Sequence, residues 1–370
     1  MPTRPIPIAK VHLTAEEIEA VARVLTSGRL IQGEIVERFE RSFAAYVGAR
    51  YAIATSSGSA ALHLAYLALI RPGDEVLVPA FTHIATASMV SLAGGVPVFC
   101  DVDPRTFTLT PEEVKRRLTP RTKVIAPVHL FGNACDIEGI TQVARDYGLK
   151  IVWDAAQAHG TRYRGRDVGS FDDVVCYSFY PTKNMTTGEG GMITTNDPAL
   201  YEKCRLLRSH GQTQKYYHIA LGLNYRMTEM AAAIGLEQLK KLDQFVRARR
   251  RNAEILTTGL SEISGVIPPF IPKDVEHSFH QYCILLDLEQ FTCTRDQFVQ
   301  ALRQEGVEAA VHYPRPLHRQ PVFADSKITL PVSEDLSKKI LSLPVHPFLS
   351  GEDLTAIVQA VKRVAGRMRR

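Results

Sequence analysis

Short apolar segments alternate with segments of helical periodicity through the first half of the chain. Seven apolar runs, which begin at residues 51, 75, 97, 123, 150, 174 and 190, predict β-strands. The segments between them, such as those from Ser59 and Thr82, carry apolar residues at three- and four-residue intervals, which is typical of helices that cover a sheet. This alternation predicts an α/β fold with a mostly parallel seven-stranded sheet covered by helices.

The second half of the chain follows a different pattern. A long helix is predicted from about Met227 to Leu256, and three prolines then interrupt the pattern within residues 263–274. The remaining segments indicate a strand followed by helices, which is typical of a small α+β domain. Because 370 residues exceed the usual size of a single core, we predict a large domain over residues 1–245 and a smaller C-terminal domain over 246–370.

Composition indicates a globular protein, with 45% apolar and 22% charged residues. No window approaches the roughly 18 uninterrupted apolar residues that span a bilayer, and the first residues lack the apolar segment of a signal peptide. We therefore expect a cytoplasmic protein with no membrane partner.

The cysteines and the excess positive charge do not indicate a special site. The six cysteines show no metal-site spacing, so we interpret them as buried thiols and expect no bound metal. The net charge of +5 is concentrated in residues 246–251 and 361–370, interpreted as exposed helix faces or a tail. No aromatic residues lie among these arginines, so we expect no nucleic-acid partner.

Three strand ends carry groups that could act together. Gly58 permits a tight backbone after the first strand, and Ser59 is positioned to cap the next helix, whose free amides could bind a phosphate. Asp154 ends a strand predicted to be buried on both faces, where a carboxylate needs a partner. Lys183 lies beyond the next strand. Taken singly, these residues have ordinary interpretations as a helix cap, a paired acid and a solvated lysine.

Together, the three groups match what pyridoxal phosphate requires. That cofactor needs a cradle for its phosphate, an acid beside its pyridinium nitrogen and a lysine that forms an imine with its aldehyde. Because the carboxyl ends of the strands meet at one edge of a parallel sheet, we expect the three groups to lie in one site.

Ordered motifs along almost the whole chain strengthen this interpretation. They include "GRLIQGEIVERFERSFAAYVGA", "ATSSGSAALHLA", "GDEVLVPAFTHIATA", "DAAQAHG", "YSFYPTKNMTTGEGGMITTND", "GLNYRMTEMAAAIGLEQL" and "HYPRPLHRQPVF". With these motifs the chain resembles the DegT/DnrJ family of sugar aminotransferases, within aspartate aminotransferase fold type I. The resemblance implies a PLP-dependent aminotransferase with an amino-acid donor.

The resemblance also implies roles for individual residues. Lys183 would be the Schiff-base lysine and the proton shuttle, Asp154 the pyridinium partner, and Gln157 a neighbour of the ring hydroxyl. Ser178 would hold the phosphate together with the amides of Gly58 and Ser59. Asn224 would reach the phosphate of the neighbouring subunit, so we expect a homodimer with shared sites. Candidate contacts to the sugar or its diphosphate are Arg226, His312 and Tyr313, each of which could also be a packing or interface residue.

Two positions depart from the family pattern. His83 stands where the family usually has an aromatic ring stacked on the pyridine, and we expect this histidine to be neutral or displaced, since a charge there would oppose the pyridinium. Trp153 replaces the family's usual glutamate before the aspartate. On an alternating strand Trp153 faces away from Asp154, so we interpret it as a packing residue.

The "TTGEGGMITTND" and "NYRMT" runs are more similar to enzymes that aminate C4 of a nucleotide-linked 4-keto-6-deoxy sugar, perosamine-forming ones included, than to the 3-amino branch. Glutamate is the donor implied. Alternatives are a 3-keto sugar or an inosose-type carbocycle with glutamine as donor, and a non-catalytic regulator that binds cofactor and sugar. Lys183 argues against a family relative that dehydrates the sugar and has histidine at this position.

Overall fold

The computed structural model describes residues 5–171, 173–323 and 327–370. In these ranges the α-helices are α1 Ala15–Ser27, α2 Glu34–Val47, α3 Gly58–Leu69, α4 Ala85–Leu92, α5 Pro111–Arg117, α6 Ile137–Asp146, α7 Pro198–Arg208, α8 Glu229–Leu260, α9 Arg295–Gln304, α10 Pro331–Lys339 and α11 Gly351–Met368. None of them has the length and apolar composition needed to cross a bilayer.

The strands of the described ranges are β1 Tyr51–Thr55, β2 Glu75–Pro79, β3 Val96–Cys100, β4 Thr122–Ile125, β5 Lys150–Asp154, β6 Arg162–Tyr163, β7 Arg166–Asp167, β8 Val174–Ser178, β9 Gly191–Thr195, β10 Gln212–Gln214, β11 Tyr217–His218, β12 Val266–Ile267, β13 Val275–Glu276, β14 Tyr282–Leu286 and β15 Ile340–Leu343. Each of the seven predicted strands is present.

These seven strands form one sheet in the order β1-β9-β8-β5-β4-β2-β3. Neighbouring strands pair in parallel except β9, which runs antiparallel to both β1 and β8. The prediction of a mostly parallel sheet is confirmed. Since β9 alone is reversed, it begins at the edge where β1, β5 and β8 end, and Gly191 lies in register with both Thr55 and Ser178.

Alternating side chains of the sheet supply two hydrophobic clusters. Trp153 and Tyr177 belong to one cluster, whereas Val152 and Cys176 belong to the other. Trp153 is fully buried and its ring stacks on His129 at 5.1 Å, as expected for a packing residue. The strand alternation therefore directs the side chain of Asp154 away from the Trp153 face.

A third cluster is formed by the C-terminal part of the chain. It combines the end of α8 with α9, α11 and the β12-β14-β15 sheet. The predicted strand and helices of this region are confirmed. Helix α8 contributes Leu242 and Val246 to the first cluster and Leu256 to the third. The division at residue 245 stays a prediction.

The arginine-rich segment 246–251 differs from the expected exposed face. It lies on α8, but Arg249 is buried and donates hydrogen bonds to the carbonyls of Phe279 and His280 at 3.1 and 3.2 Å. The interpretation is therefore wrong for Arg249, because α8 is packed on more than one side. Among the cysteines, Cys293 is only half-buried, whereas the other five are buried.

A buried ion pair fixes the end of β1 that leads into α3. Arg208, at the end of α7, donates to Glu40 of α2 at 2.6 Å and to the carbonyl of Ala54 at 2.8 Å. Ala54 in turn donates its amide to the same Glu40 oxygen at 2.8 Å. Both charged groups are buried, so each depends on the other for compensation.

We predict that Glu40→Ala lowers the free energy of unfolding by about 3–5 kcal/mol, because it leaves the Arg208 guanidinium buried without its carboxylate. Urea denaturation followed by circular dichroism measures the loss. Glu37→Ala is the matched control, since Glu37 lies on the same helix, is exposed and reaches Arg41 only at 3.8 Å. Equal unfolding free energies for the two variants would contradict the assigned importance of the pair.

Candidate active site

A pocket of about 360 Å³ lies where β1, β5 and β8 end. The sequence-predicted site residues that line it are Gly58, Ser59, His83, Asp154, Gln157, Ser178, Lys183, His312 and Tyr313. Residues that the sequence analysis did not single out also line it, including Ser57, Thr182, Glu189, His280 and Gln281. The structure thus brings nine of the eleven predicted residues together, and only Asn224 and Arg226 lie outside.

The helix start beside β1 forms an anion cradle, with one correction to the prediction. Ser57, not Ser59, is the N-cap: it is extended, and its hydroxyl accepts from the amide of Ala60 at 3.1 Å. Because α3 begins at Gly58, Ser59 is already its second residue. The amides of Gly58 and Ser59 have no acceptor among the residues that the structure describes. Such free amides at a helix N-terminus attract a phosphate.

The cradle has no room for a side chain at Gly58. A Cβ atom there would lie 2.6 Å from Cβ of Ser178, at the end of β8. A Cβ at Gly191 would lie 2.3 Å from the carbonyl oxygen of Ser57. The start of α3, the end of β8 and the start of β9 therefore meet at close range. This contact places the Ser178 hydroxyl beside the free amides of α3.

Asp154 is a buried carboxyl group, with 4% of its surface exposed. Its Oδ2 accepts from the hydroxyl of Thr86 at 2.8 Å, and its Oδ1 accepts from the amide of Ala156 at 3.0 Å. Burial raises the pKa of Asp154, whereas these two hydrogen bonds and the charge of Lys183 lower it. The described residues place no cationic group within ion-pair distance of this carboxylate.

Lys183 lies in the loop after β8, where its backbone amide donates to the carbonyl of Tyr180 at 2.9 Å. Burial lowers the pKa of Lys183 to about 8, against an opposing effect of Asp154. A sizeable fraction of the amine is therefore neutral near physiological pH, which is what a nucleophilic or proton-transferring lysine requires.

His83 lines the rim of the pocket and is only partly shielded from solvent. Its Nδ1 accepts from the amide of Ala85 at 3.2 Å, and its ring lies edge-on to Tyr313 at 6.2 Å. Burial and then the charge of Lys183 lower the pKa of His83 below its ordinary value. The lowered pKa favours a neutral ring, and the role of His83 beside the cofactor stays a prediction.

Gln157 is buried, and both the oxygen and the nitrogen of its side-chain amide form hydrogen bonds. Its Oε1 accepts from the amide of Phe131 at 2.9 Å, and its Nε2 donates to the hydroxyl of Tyr313 at 2.9 Å. His312 Nδ1 lies 3.0 Å from the hydroxyl of Ser342. The contact between Gln157 and Tyr313 therefore joins the large sheet to the C-terminal part of the chain at the pocket.

Asn224 and Arg226 lie on the surface outside this pocket. Arg226 donates to the side-chain oxygen of Asn224 at 3.1 Å. The intervening Tyr225 is fixed by its backbone, since its carbonyl accepts from Ser56 at 2.8 Å and its amide donates to Arg208 at 3.0 Å. Asn224 is exposed, so the predicted phosphate contact is not made within the same chain.

The donor set fits pyridoxal phosphate. The free amides, the Gly58 cleft and the Ser178 hydroxyl suit its phosphate, Asp154 suits its ring nitrogen, and the amine of Lys183 suits its aldehyde. No group of three or more histidine, cysteine or acidic side chains in the described ranges is arranged to hold a metal ion.

Comparison with known proteins agrees with this site. The model of the DegT/DnrJ/EryC1/StrS aminotransferase family matches residues 11–362. The pleiotropic regulatory protein of Geobacillus stearothermophilus is 42% identical over 95% of this chain and 94% of its own length. The GDP-perosamine synthase of Caulobacter vibrioides is 41% identical over 90% of each chain. The dTDP-3-amino-3,4,6-trideoxy-alpha-D-glucose transaminase of Streptomyces venezuelae is 39% identical over 96% of this chain and 94% of that protein.

The crystal structure of S. venezuelae DesV in complex with a ketimine intermediate superposes on this chain with a TM-score of 0.95 and 38% sequence identity. The superposition covers 99% of this chain and 100% of DesV. The chain therefore belongs to the DegT/DnrJ/EryC1/StrS aminotransferase family and is a pyridoxal-phosphate-dependent aminotransferase.

Proposed function

We propose that this aminotransferase transfers the amino group of glutamate to C4 of a nucleotide-linked 4-keto-6-deoxy sugar. One observation carries the amino-transfer chemistry. A buried carboxyl group, Asp154, and a lysine of lowered pKa, Lys183, line the same pocket beside an anion cradle. The choice of C4 rests on the "TTGEGG" segment, whose Glu189 lines the pocket, and on the similarity to GDP-perosamine synthase.

Different residues around the pocket would bind different parts of the cofactor. Gly58 and Ser59 amides with the Ser178 hydroxyl would hold the phosphate, Gln157 would bond the ring hydroxyl, and Asp154 would pair with the ring nitrogen. His83 would lie against the ring as a neutral group. When bound, pyridoxal phosphate supplies an electron sink and carries the amino group between donor and acceptor.

Lys183 would hold and move protons at the reacting carbon. With a pKa of about 8, its Nζ is protonated in part of the population and neutral in the rest, so it can act as general acid and as general base. Partial burial of Lys183 limits the contact of its amine with water, which would favour proton transfer between Lys183 and the bound substrate. The same steps then run in reverse with the keto sugar as acceptor.

The acceptor would be bound by the C-terminal side of the pocket and by a second subunit. His312 and Tyr313 line the pocket from residues that follow α9, and Arg226 suits a diphosphate because its guanidinium matches phosphate geometry. The 39% identity to a 3-amino-sugar transaminase supports the alternative of C3 amination, and the regulatory relative supports the non-catalytic alternative.

A homodimer with shared sites would explain why Asn224 and Arg226 lie outside the pocket of their own chain. They adjoin a segment with exposed apolar side chains, in which Tyr216 is 82% and Leu221 is 99% exposed. Exposed apolar groups of this size mark surfaces that another molecule covers. Asn224 of the partner subunit would then complete the phosphate site.

The acceptor is tested by turnover with a panel of nucleotide-linked 4-keto-6-deoxy sugars, nucleotide-linked 3-keto sugars and a keto inositol, each with glutamate or glutamine. We expect product only with a 4-keto sugar and glutamate, and the amine at C4 by NMR. An amine at C3, or turnover only of the carbocycle with glutamine, would overturn the proposed substrate. Binding without turnover across the panel would instead identify a regulator.

We predict that borohydride reduction attaches the cofactor to Lys183 alone, and that Lys183→Ala abolishes this attachment without unfolding the protein. The attachment rate to apo-protein should rise with pH up to about 8 and then level off, because the neutral amine is the reactive form. Peptide mass spectrometry and stopped-flow absorbance measure these outcomes. Lys203→Ala is the control, since Lys203 lies on α7 and bonds the carbonyl of Ala68. A label on another lysine would refute the assignment.

Subunit mixing tests the shared site. Lys183→Ala and Asn224→Ala chains that are unfolded and reassembled together should regain roughly a quarter of wild-type activity, because half of the dimers carry one intact site. A mixture of Lys183→Ala with Asp154→Asn should regain none, since both residues line the pocket of one chain. If native electrophoresis shows heterodimers but the first mixture stays inactive, Asn224 does not act across the interface.

A further inference from the structure

Thr86 makes the one side-chain hydrogen bond that Asp154 receives among the described residues. It lies in the first turn of α4, is fully buried, and places its Oγ1 2.8 Å from Oδ2 of Asp154. Because an ionised carboxylate only accepts hydrogen bonds, the hydroxyl of Thr86 donates its single proton to Asp154. The other oxygen is bonded by the amide of Ala156.

The position of Thr86 is itself fixed. Its carbonyl accepts from the hydroxyl of Tyr66 at 3.1 Å, and its Oγ1 lies 3.5 Å from the hydroxyl of Thr82. A β-branched side chain that is buried in a helix has few rotamers available. The hydroxyl is therefore held in the orientation that serves Asp154.

The surroundings of Asp154 otherwise contain few groups that favour its charge. Lys183 favours the anion, and the hydrogen bond from Thr86 opposes the effect of burial more than Lys183 does. The remaining titratable groups that face the carboxylate, each neutral at pH 7, are Tyr66 of α3, Cys176 of β8, and Cys135 and Tyr313.

We infer that Thr86 is a positioning residue that keeps Asp154 ionised, so that the proton shared between Asp154 and the ring nitrogen of bound cofactor stays on the ring. The inference rests on the proposed role of Asp154 as the partner of that nitrogen. One proton is conserved: without the Thr86 hydroxyl it moves from the ring nitrogen to the carboxylate, and the charged pair becomes a neutral acid beside a neutral ring. A neutral ring withdraws electrons less, so proton removal by Lys183 slows.

The test uses holoenzyme that carries cofactor labelled with ¹⁵N in the ring. For Thr86→Val we expect the ¹⁵N signal to move toward the value of a neutral pyridine, and the half-reaction rate constant with glutamate to fall about 10-fold or more, with KM little changed. Thr86→Ser, which keeps the hydroxyl, should retain the wild-type signal. If Thr86→Val does not fold, Thr86→Ala also removes the hydroxyl and introduces a smaller side chain.

Thr194→Val is the matched control, because Thr194 is a fully buried threonine in β9 of the sheet that contains Asp154, and its hydroxyl has no partner among the described residues. An equal ¹⁵N change in this control, or an unchanged signal in Thr86→Val and Thr86→Ala, would overturn the role of Thr86. Asp154→Asn distinguishes a failure of the Thr86 role from a failure of the pairing between Asp154 and the ring nitrogen. If Asp154→Asn moves the signal and the Thr86 variants do not, Thr86 alone is refuted; if neither does, the pairing of Asp154 with the ring is refuted.

Discussion

The close approach of α3 to the ends of β8 and β9 is the constraint on which the site depends. Gly58 and Gly191 leave no space for a Cβ, so the backbone amides of the helix start lie directly against Ser178. The reversed strand β9 makes this contact possible, because it starts at the edge where its neighbours end. The buried pair of Arg208 and Glu40 holds β1 in place behind the contact. The anion cradle is thus formed by closely packed backbone.

A buried carboxyl group, Asp154, and a half-buried amine, Lys183, line the pocket without forming an ion pair. Burial lowers the pKa of Lys183 and raises that of Asp154, so each group is moved toward the range in which it can exchange a proton. A direct salt bridge would oppose both effects and would leave neither group free for a ligand. Thr86 and the Ala156 amide stabilise the carboxylate with hydrogen bonds and leave Lys183 available.

The sequence predicted the strands well because each buried strand is a short apolar run, and the residues after these runs met in the pocket as expected. Periodicity could not reveal that β9 is antiparallel, since parallel and antiparallel strands have the same alternation of side chains. Ser57 was missed as the cap in favour of Ser59, because a serine pair around Gly58 permits two helix starts. Thr86, His280 and Gln281 were missed because each lies within an ordinary helical or strand pattern, and only tertiary packing brings it to the site.

The pocket is assembled from two separate parts of the chain, and this division has an evolutionary consequence. The anion cradle uses main-chain amides and glycines, whereas a separate wall of the pocket comes from residues 280–281 and 312–313. Under the proposed function, substitutions in that wall would change which acceptor fits and would leave the main-chain cradle intact. Divergence toward new acceptors therefore requires few coordinated changes, and an engineer who seeks a new product can vary the wall and leave the cradle unaltered.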